Sequence, residues 1–115
     1  MIRYLTVVVG LVGFLGVPVA AQDAKLVQAG KRLYESKECA KCHLIAGKGN
    51  KISPLDGVGS KHTAAEMKRW LTATAEMEAA LDHKPKVKMS AKVPLMKLSE
   101  ADVDALVAYL MTLKK

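Results

Sequence analysis

Residues 39–43, CAKCH, set two thiols and an imidazole into five positions of a chain that has no other cysteine. Several chemistries use such a group. A thioredoxin-like redox pair wants its Cys-x-x-Cys near a βαβ pattern, and no strand-helix alternation is present in this sequence. A structural zinc wants four ligands, whereas the remaining histidines, His62 and His83, are distant and unpaired in spacing. A plain disulfide across a two-residue gap closes almost no loop and stabilises little. Cys-x-x-Cys-His is also the spacing for covalent attachment of a c-type haem. Cys39 and Cys42 then each form a thioether with a porphyrin vinyl group, and His43 lies beneath the iron as its proximal ligand. Covalent haem is the expected chemistry, with a thiol redox pair as its alternative.

The compartment is set by the opening segment, MIRYLTVVVGLVGFLGVPVAAQD. One early cation, Arg3, precedes an uncharged run from Tyr4 to Gln22 that closes on small residues. This is the pattern of a secretory signal peptide over residues 1–21, with Val19-Ala20-Ala21 as its small-x-small cleavage site. The alternative is an uncleaved membrane anchor, since the run approaches the roughly 20 residues a bilayer needs. Gly10, Gly13, Gly16 and Pro18 weaken such a helix. Export is expected either way, with the periplasm as destination and membrane attachment only if the segment stays on.

Cleavage after Ala21 leaves 94 of the 115 residues, numbered 22–115, as one small monohaem domain. A chain of that size buries little apolar surface and leans on a disulfide, a metal or a cofactor. Its aromatic residues come down to Tyr34, Trp70 and Tyr109, and a flat macrocycle would supply the missing apolar mass. Loss of Arg3 takes the net charge only from +7 to +6, so the basic balance belongs to the mature chain. Export and the lack of an aromatic-interleaved basic patch argue against nucleic acid, leaving an acidic protein partner as the expected one. The chain is expected to be a monomer.

Three helices are expected to position the motif. Asp23 can cap the first, AKLVQAGKRLYESKECA, whose stripe is Leu26, Gly30 and Leu33 with Val27 and Tyr34 beside it. Gly30 costs about 1 kcal/mol relative to Ala inside a helix, which predicts close approach of another backbone. Residues 44–62 are rich in turn formers. Thr63 to Glu66 forms a capping box opening a helix with Met67, Trp70, Leu71, Thr74, Met77 and Leu81 on one face and Pro85 beyond its end. Met67, Met77 and Met111 are read as packing residues. Residues 83–98, with Pro85 and Pro94 and alternating lysines, read as an extended loop. Ser99 and Asp102 resemble a second capping box, opening a helix with Val103, Leu106, Val107 and Leu110 on its apolar face.

From about Ala24 to Leu113 the chain resembles a short bacterial class I cytochrome c, of monohaem type. The resemblance rests on GKRLYESKECAKCH, then SPLDGVGSK, then SEADVDALVAYLMTLKK, in family order. It implies an all-α cytochrome c-like fold, three main helices and long loops around one covalent haem. The first and last helices cross, with Gly30 and Tyr34 against Leu106 and Tyr109. The family's proline after the haem motif corresponds to Pro54, whose carbonyl is expected to accept the Nδ1 proton of His43 and so fix its tautomer. Ser53 stands where the family often has Gly.

The resemblance also implies a methionine on the other face of the haem, from the loop before the last helix. Met96 lies three residues before Ser99, which leaves little chain to turn from the iron into the helix; Met89 leaves ten. Met89 is therefore the expected sixth ligand and Met96 its alternative, although Ser90 follows Met89 where the family often has Pro. His62 and His83 are weighed as alternative ligands and read as surface residues. His/Met iron has no open position, which favours electron transfer over catalysis, so a carrier of single electrons is expected and not an enzyme. The alternatives are a five-coordinate or bis-His haem protein with ligand-binding, sensing or peroxidase-like activity, or a haem-free thiol module. Lys84, Lys86, Lys88 and Lys92 flank Met89 and are expected to dock an acidic patch on a redox partner.

Overall fold

The computed structural model describes residues 19–115, with side chains from Asp23 onward. The expected signal peptide falls on residues 1–21, whose side chains lie outside the described residues. Among the described residues six helices run in order: α1 (Val19–Ser36), α2 (Val58–Lys61), α3 (Ala64–Thr72), α4 (Thr74–Ala79), α5 (Met89–Met96) and α6 (Glu100–Met111). Three very short strands lie between α1 and α2: β1 (His43–Ile45), β2 (Lys48–Gly49) and β3 (Ser53–Pro54), in the order β2-β1-β3. The fold is helical with a small sheet that folds back the loop after CAKCH.

The main contact is the crossing of α1 and α6. Gly30 is buried in it, and a Cβ there would collide with the Ala105 carbonyl and come within 2.7 Å of Tyr109 Cβ. The absent side chain is what lets the helices touch. One turn on, Tyr34 and Tyr109 pack edge to face with ring centroids 5.7 Å apart, a favoured aromatic geometry. Behind the crossing, Met67, Val103 and Val107 form the buried centre, with Val58, Leu71, Leu98, Leu110 and Met111 around it. The face expected of α6 is thus the face it buries, and Met67 is a packing residue as expected.

Both capping boxes form. Thr63 Oγ1 accepts the Glu66 N–H at 3.2 Å, and Ser99 Oγ accepts that of Asp102 at 3.1 Å. The Asp102 carboxylate returns to the Ser99 N–H at 3.0 Å.

Elsewhere the structure departs from the expected elements. Asp23 lies inside α1 instead of capping it, because the described helix already includes the four residues before it, from Val19. The single helix expected from residue 64 to about 81 is broken at Ala73, with φ −130° and ψ 45°. Thr72 and Thr74 flank the break and donate their hydroxyls to the carbonyls of Lys68 and Trp70, at 2.9 and 2.8 Å, back-bonding that bends helices. The loop expected over residues 83–98 contains α5, with Pro94 inside it.

Candidate functional site

The two cysteines sit where α1 gives out. Glu38 takes a left-handed conformation, φ 59°, and a 3-10 turn over Cys39–Lys41 follows, closed by Cys42 N–H to the Cys39 carbonyl at 3.1 Å. Loop groups tie this turn down: Asn50 N–H is shared between the carbonyls of Ala40 and His43, each at 3.0 Å, and Ser53 N–H reaches the Cys42 carbonyl at 3.0 Å. Gly49, at φ 107°, makes the first of these possible, since a Cβ there would run into the His43 carbonyl. The backbone of the motif is therefore set by its own loop. Cys39 and Cys42 are both partly buried and are not joined to each other as a disulfide.

His43 opens β1, paired in parallel register with Ser53. Its Nδ1 lies 2.9 Å from the Ser53 carbonyl oxygen. A carbonyl only accepts, so Nδ1 carries the proton and Nε2 of the neutral ring keeps its lone pair. Burial lowers the His43 pKa, outweighing the bond to Ser53 that raises it, so the neutral, metal-binding form is favoured. The expected partner was Pro54. The structure places Ser53 there instead, because the parallel register sets Ser53 opposite His43 and Pro54 opposite Leu44.

Burial also pushes the Cys39 thiol up, a shift to which the Cys42 charge adds. A redox cysteine needs the opposite, a stabilised thiolate. Tyr34 is buried, and its hydroxyl has no hydrogen-bond partner among the described residues. Its pKa is raised to about 12, by burial first and then by the charges of Cys39, Tyr109 and Asp56. No group of three or more His, Cys, Asp or Glu among the described residues is gathered to hold a metal ion, so zinc has no cage there.

Residues 27–114 match the family model for cytochrome c. The chain belongs to the cytochrome c family. No curated protein and no solved structure matches it. Membership of the cytochrome c family brings a covalently bound c-type haem and a haem-based electron-transfer role with redox partner proteins, and its members are generally carriers rather than enzymes. The donor set fits that group: two thiols three positions apart on a fixed turn, one imidazole whose Nδ1 is held by Ser53, and no competing cage among the described residues.

Met89 and Met96 occupy the first and last positions of α5. Seven residues apart, they share one face of that helix. The helix packs on α4, and Lys37, two residues before Cys39, donates its Nζ to the Met96 carbonyl at 2.9 Å. Glu78 of α4 binds the N–H and hydroxyl of Ser90, and these bonds hold its carboxyl below the usual range. Sequence reasoning missed both contacts, which span 12 and 59 residues and leave no local pattern. His62 bonds Glu66 Oε2 at 3.1 Å on the surface, and His83 is exposed. Lys84, Lys86, Lys88 and Lys92 are all exposed around the start of α5.

Proposed function

We propose that this cytochrome c is a periplasmic carrier of single electrons. It is exported by residues 1–21, which are removed after Ala21. One haem is held by thioethers to Cys39 and Cys42, and its iron by His43 and Met89. The observation that carries this reading is the 2.9 Å bond from His43 Nδ1 to the Ser53 carbonyl. It locks the ring, leaves Nε2 as the donor atom and strengthens it as a ligand. When bound, the haem iron supplies a one-electron couple whose potential a methionine ligand raises. Met89 is favoured over Met96 by its place at the first position of α5, away from the turn into α6 that Met96 abuts, and by the exposed lysines that surround it.

The test is the visible spectrum of the haem-loaded protein. The oxidised wild type is expected to show the weak far-red sulfur-to-iron band. Met89→Ala should abolish it and Met96→Ala should leave it in place. A wild type without the band, or a Met89→Ala protein that keeps it, overturns the ligand assignment.

Lys84, Lys86, Lys88 and Lys92 are proposed to steer the protein toward an acidic patch on its partner. None of them has an ion-pair partner among the described residues. Exposed charges act across a Debye length of about 10 Å at 0.1 M salt and about 3 Å at 1 M. Raising salt over that range should slow electron transfer with an acidic partner by roughly tenfold or more, measured as the bimolecular rate by stopped flow. A rate indifferent to salt removes the steering role.

A further inference from the structure

Helix α5 has little local reason to form. Eight residues are too few to hold a helix by propensity, and Pro94 lacks the N–H that would bond the Ser90 carbonyl and intrudes on it. Its persistence comes from other elements. At its N-terminal end, Glu78 of α4 places Oε1 2.8 Å from the Ser90 N–H and Oε2 2.6 Å from the Ser90 hydroxyl. The Met89 N–H and the Lys88 charge act on the same carboxylate. At the C-terminal end, the Lys37 ammonium holds the Met96 carbonyl at 2.9 Å. Each charge has the sign that complements the helix dipole at its end. Between them, Val93 is the buried side chain of the helix.

Ser90 is the residue after Met89, so whatever fixes the Ser90 backbone fixes the direction in which the Met89 side chain leaves. We propose that Glu78 is a positioning residue for the sixth ligand: by gripping both donors of Ser90 it holds the first turn of α5 and keeps the Met89 thioether presented to the iron. The inference rests on the His43/Met89 reading above. The two ends of α5 are unequal in consequence. With Lys37 still holding Met96, loss of the Glu78 grip frees the end that carries Met89 while the far end stays attached to the segment before Cys39.

The experiment compares haem-loaded wild type with Glu78→Gln, Glu78→Ala, Ser90→Ala, Met89→Ala and, as a control on the same helix, Glu76→Gln. Glu76 is an exposed acid facing Arg69 at 3.6 Å, so its variant removes a negative charge from α4 without touching Ser90. Two quantities are read: the far-red band of the oxidised form, and the rate of carbon monoxide uptake by the reduced form, which reports how often the sixth position opens. Glu78→Ala is expected to take up carbon monoxide about tenfold faster, the scale of losing a helix cap made by a charged group. Its band should weaken and its reduction potential fall. Ser90→Ala keeps the bond from the Ser90 N–H and Glu78→Gln keeps the side-chain shape; both should fall between wild type and Glu78→Ala, and Glu76→Gln should match wild type. These two conservative variants decide the matter if Glu78→Ala does not fold.

If Met89→Ala loses the band while all the Glu78 and Ser90 variants behave as wild type, Glu78 does not position Met89 and the inference fails alone. If Glu76→Gln opens the site as much as Glu78→Gln, general loss of charge is the cause and the inference again fails alone. If Met89→Ala keeps the band, the ligand assignment itself fails and takes the inference with it.

Discussion

Alanine at both Cys39 and Cys42 is expected to produce a protein from which acidified organic solvent extracts all the haem, whereas the wild type keeps its haem through the same treatment. The size of the effect follows from what the thiols do and do not contribute. The turn that carries them is held by backbone bonds, from Asn50 to Ala40 and His43 and from Ser53 to Cys42, none of which uses a sulfur atom. The double variant should therefore keep its fold and His43 should keep its bond to Ser53. Only the covalent link is removed. Each single variant should retain one thioether and resist extraction. The mass of the wild-type protein should exceed that of the bare chain by one haem, and that of the double variant should not. Haem extracted from the wild type, or retained by the double variant, would show that the cysteines have another task, and the raised pKa of Cys39 makes thiolate redox chemistry a poor one.

Membership of the cytochrome c family, and the c-type haem that it brings, were legible because the signal that pointed to them is local: three donor side chains at fixed spacing within five residues. The capping boxes at Thr63 and Ser99 and the buried face of α6 are local too, and each appears where its pattern lies. Gly30 was legible as a cost without a local return, and the return is the carbonyl of Ala105 in another helix. What the sequence concealed is nonlocal. The carbonyl facing His43 belongs to Ser53 and not Pro54, a matter of strand register that one residue of slip decides. Helix α5 exists through Glu78 and Lys37, whose contacts no periodicity announces, while Pro94 and the alternating lysines argue for a loop. The break between α3 and α4 comes from Thr72 and Thr74 turning their hydroxyls onto the preceding turn, a choice between rotamers that composition does not record.

Gly30→Ala is expected to lower stability by about 3 kcal/mol, the upper range for forcing a group into a filled interface. By propensity alone the same change would raise helix stability by about 1 kcal/mol, so the sign of the measured effect separates the two influences. The added methyl would meet the Ala105 carbonyl and the Tyr109 Cβ, and a backbone carbonyl inside a helix has no rotamer by which to yield. Relief requires α1 and α6 to move apart, which also pulls Tyr34 off Tyr109. For a domain of this size, with a total stability of roughly 5–15 kcal/mol, the urea midpoint should fall by about 2 M at a slope near 1.5 kcal/mol/M. Gly47 is the comparison: it also has no side chain, but a Cβ there meets nothing within 4 Å and only its φ of 78° is strained, so Gly47→Ala should cost only about 1–2 kcal/mol. Equal losses at the two positions would mean that the helix crossing is not the main support of the fold. On the proposed His43/Met89 reading a larger loss at Gly30 bears on function as well, because α1 leads directly into the turn bearing Cys39 while α6 follows α5, which bears Met89, so helices forced apart at Gly30 would carry the two proposed ligand segments with them.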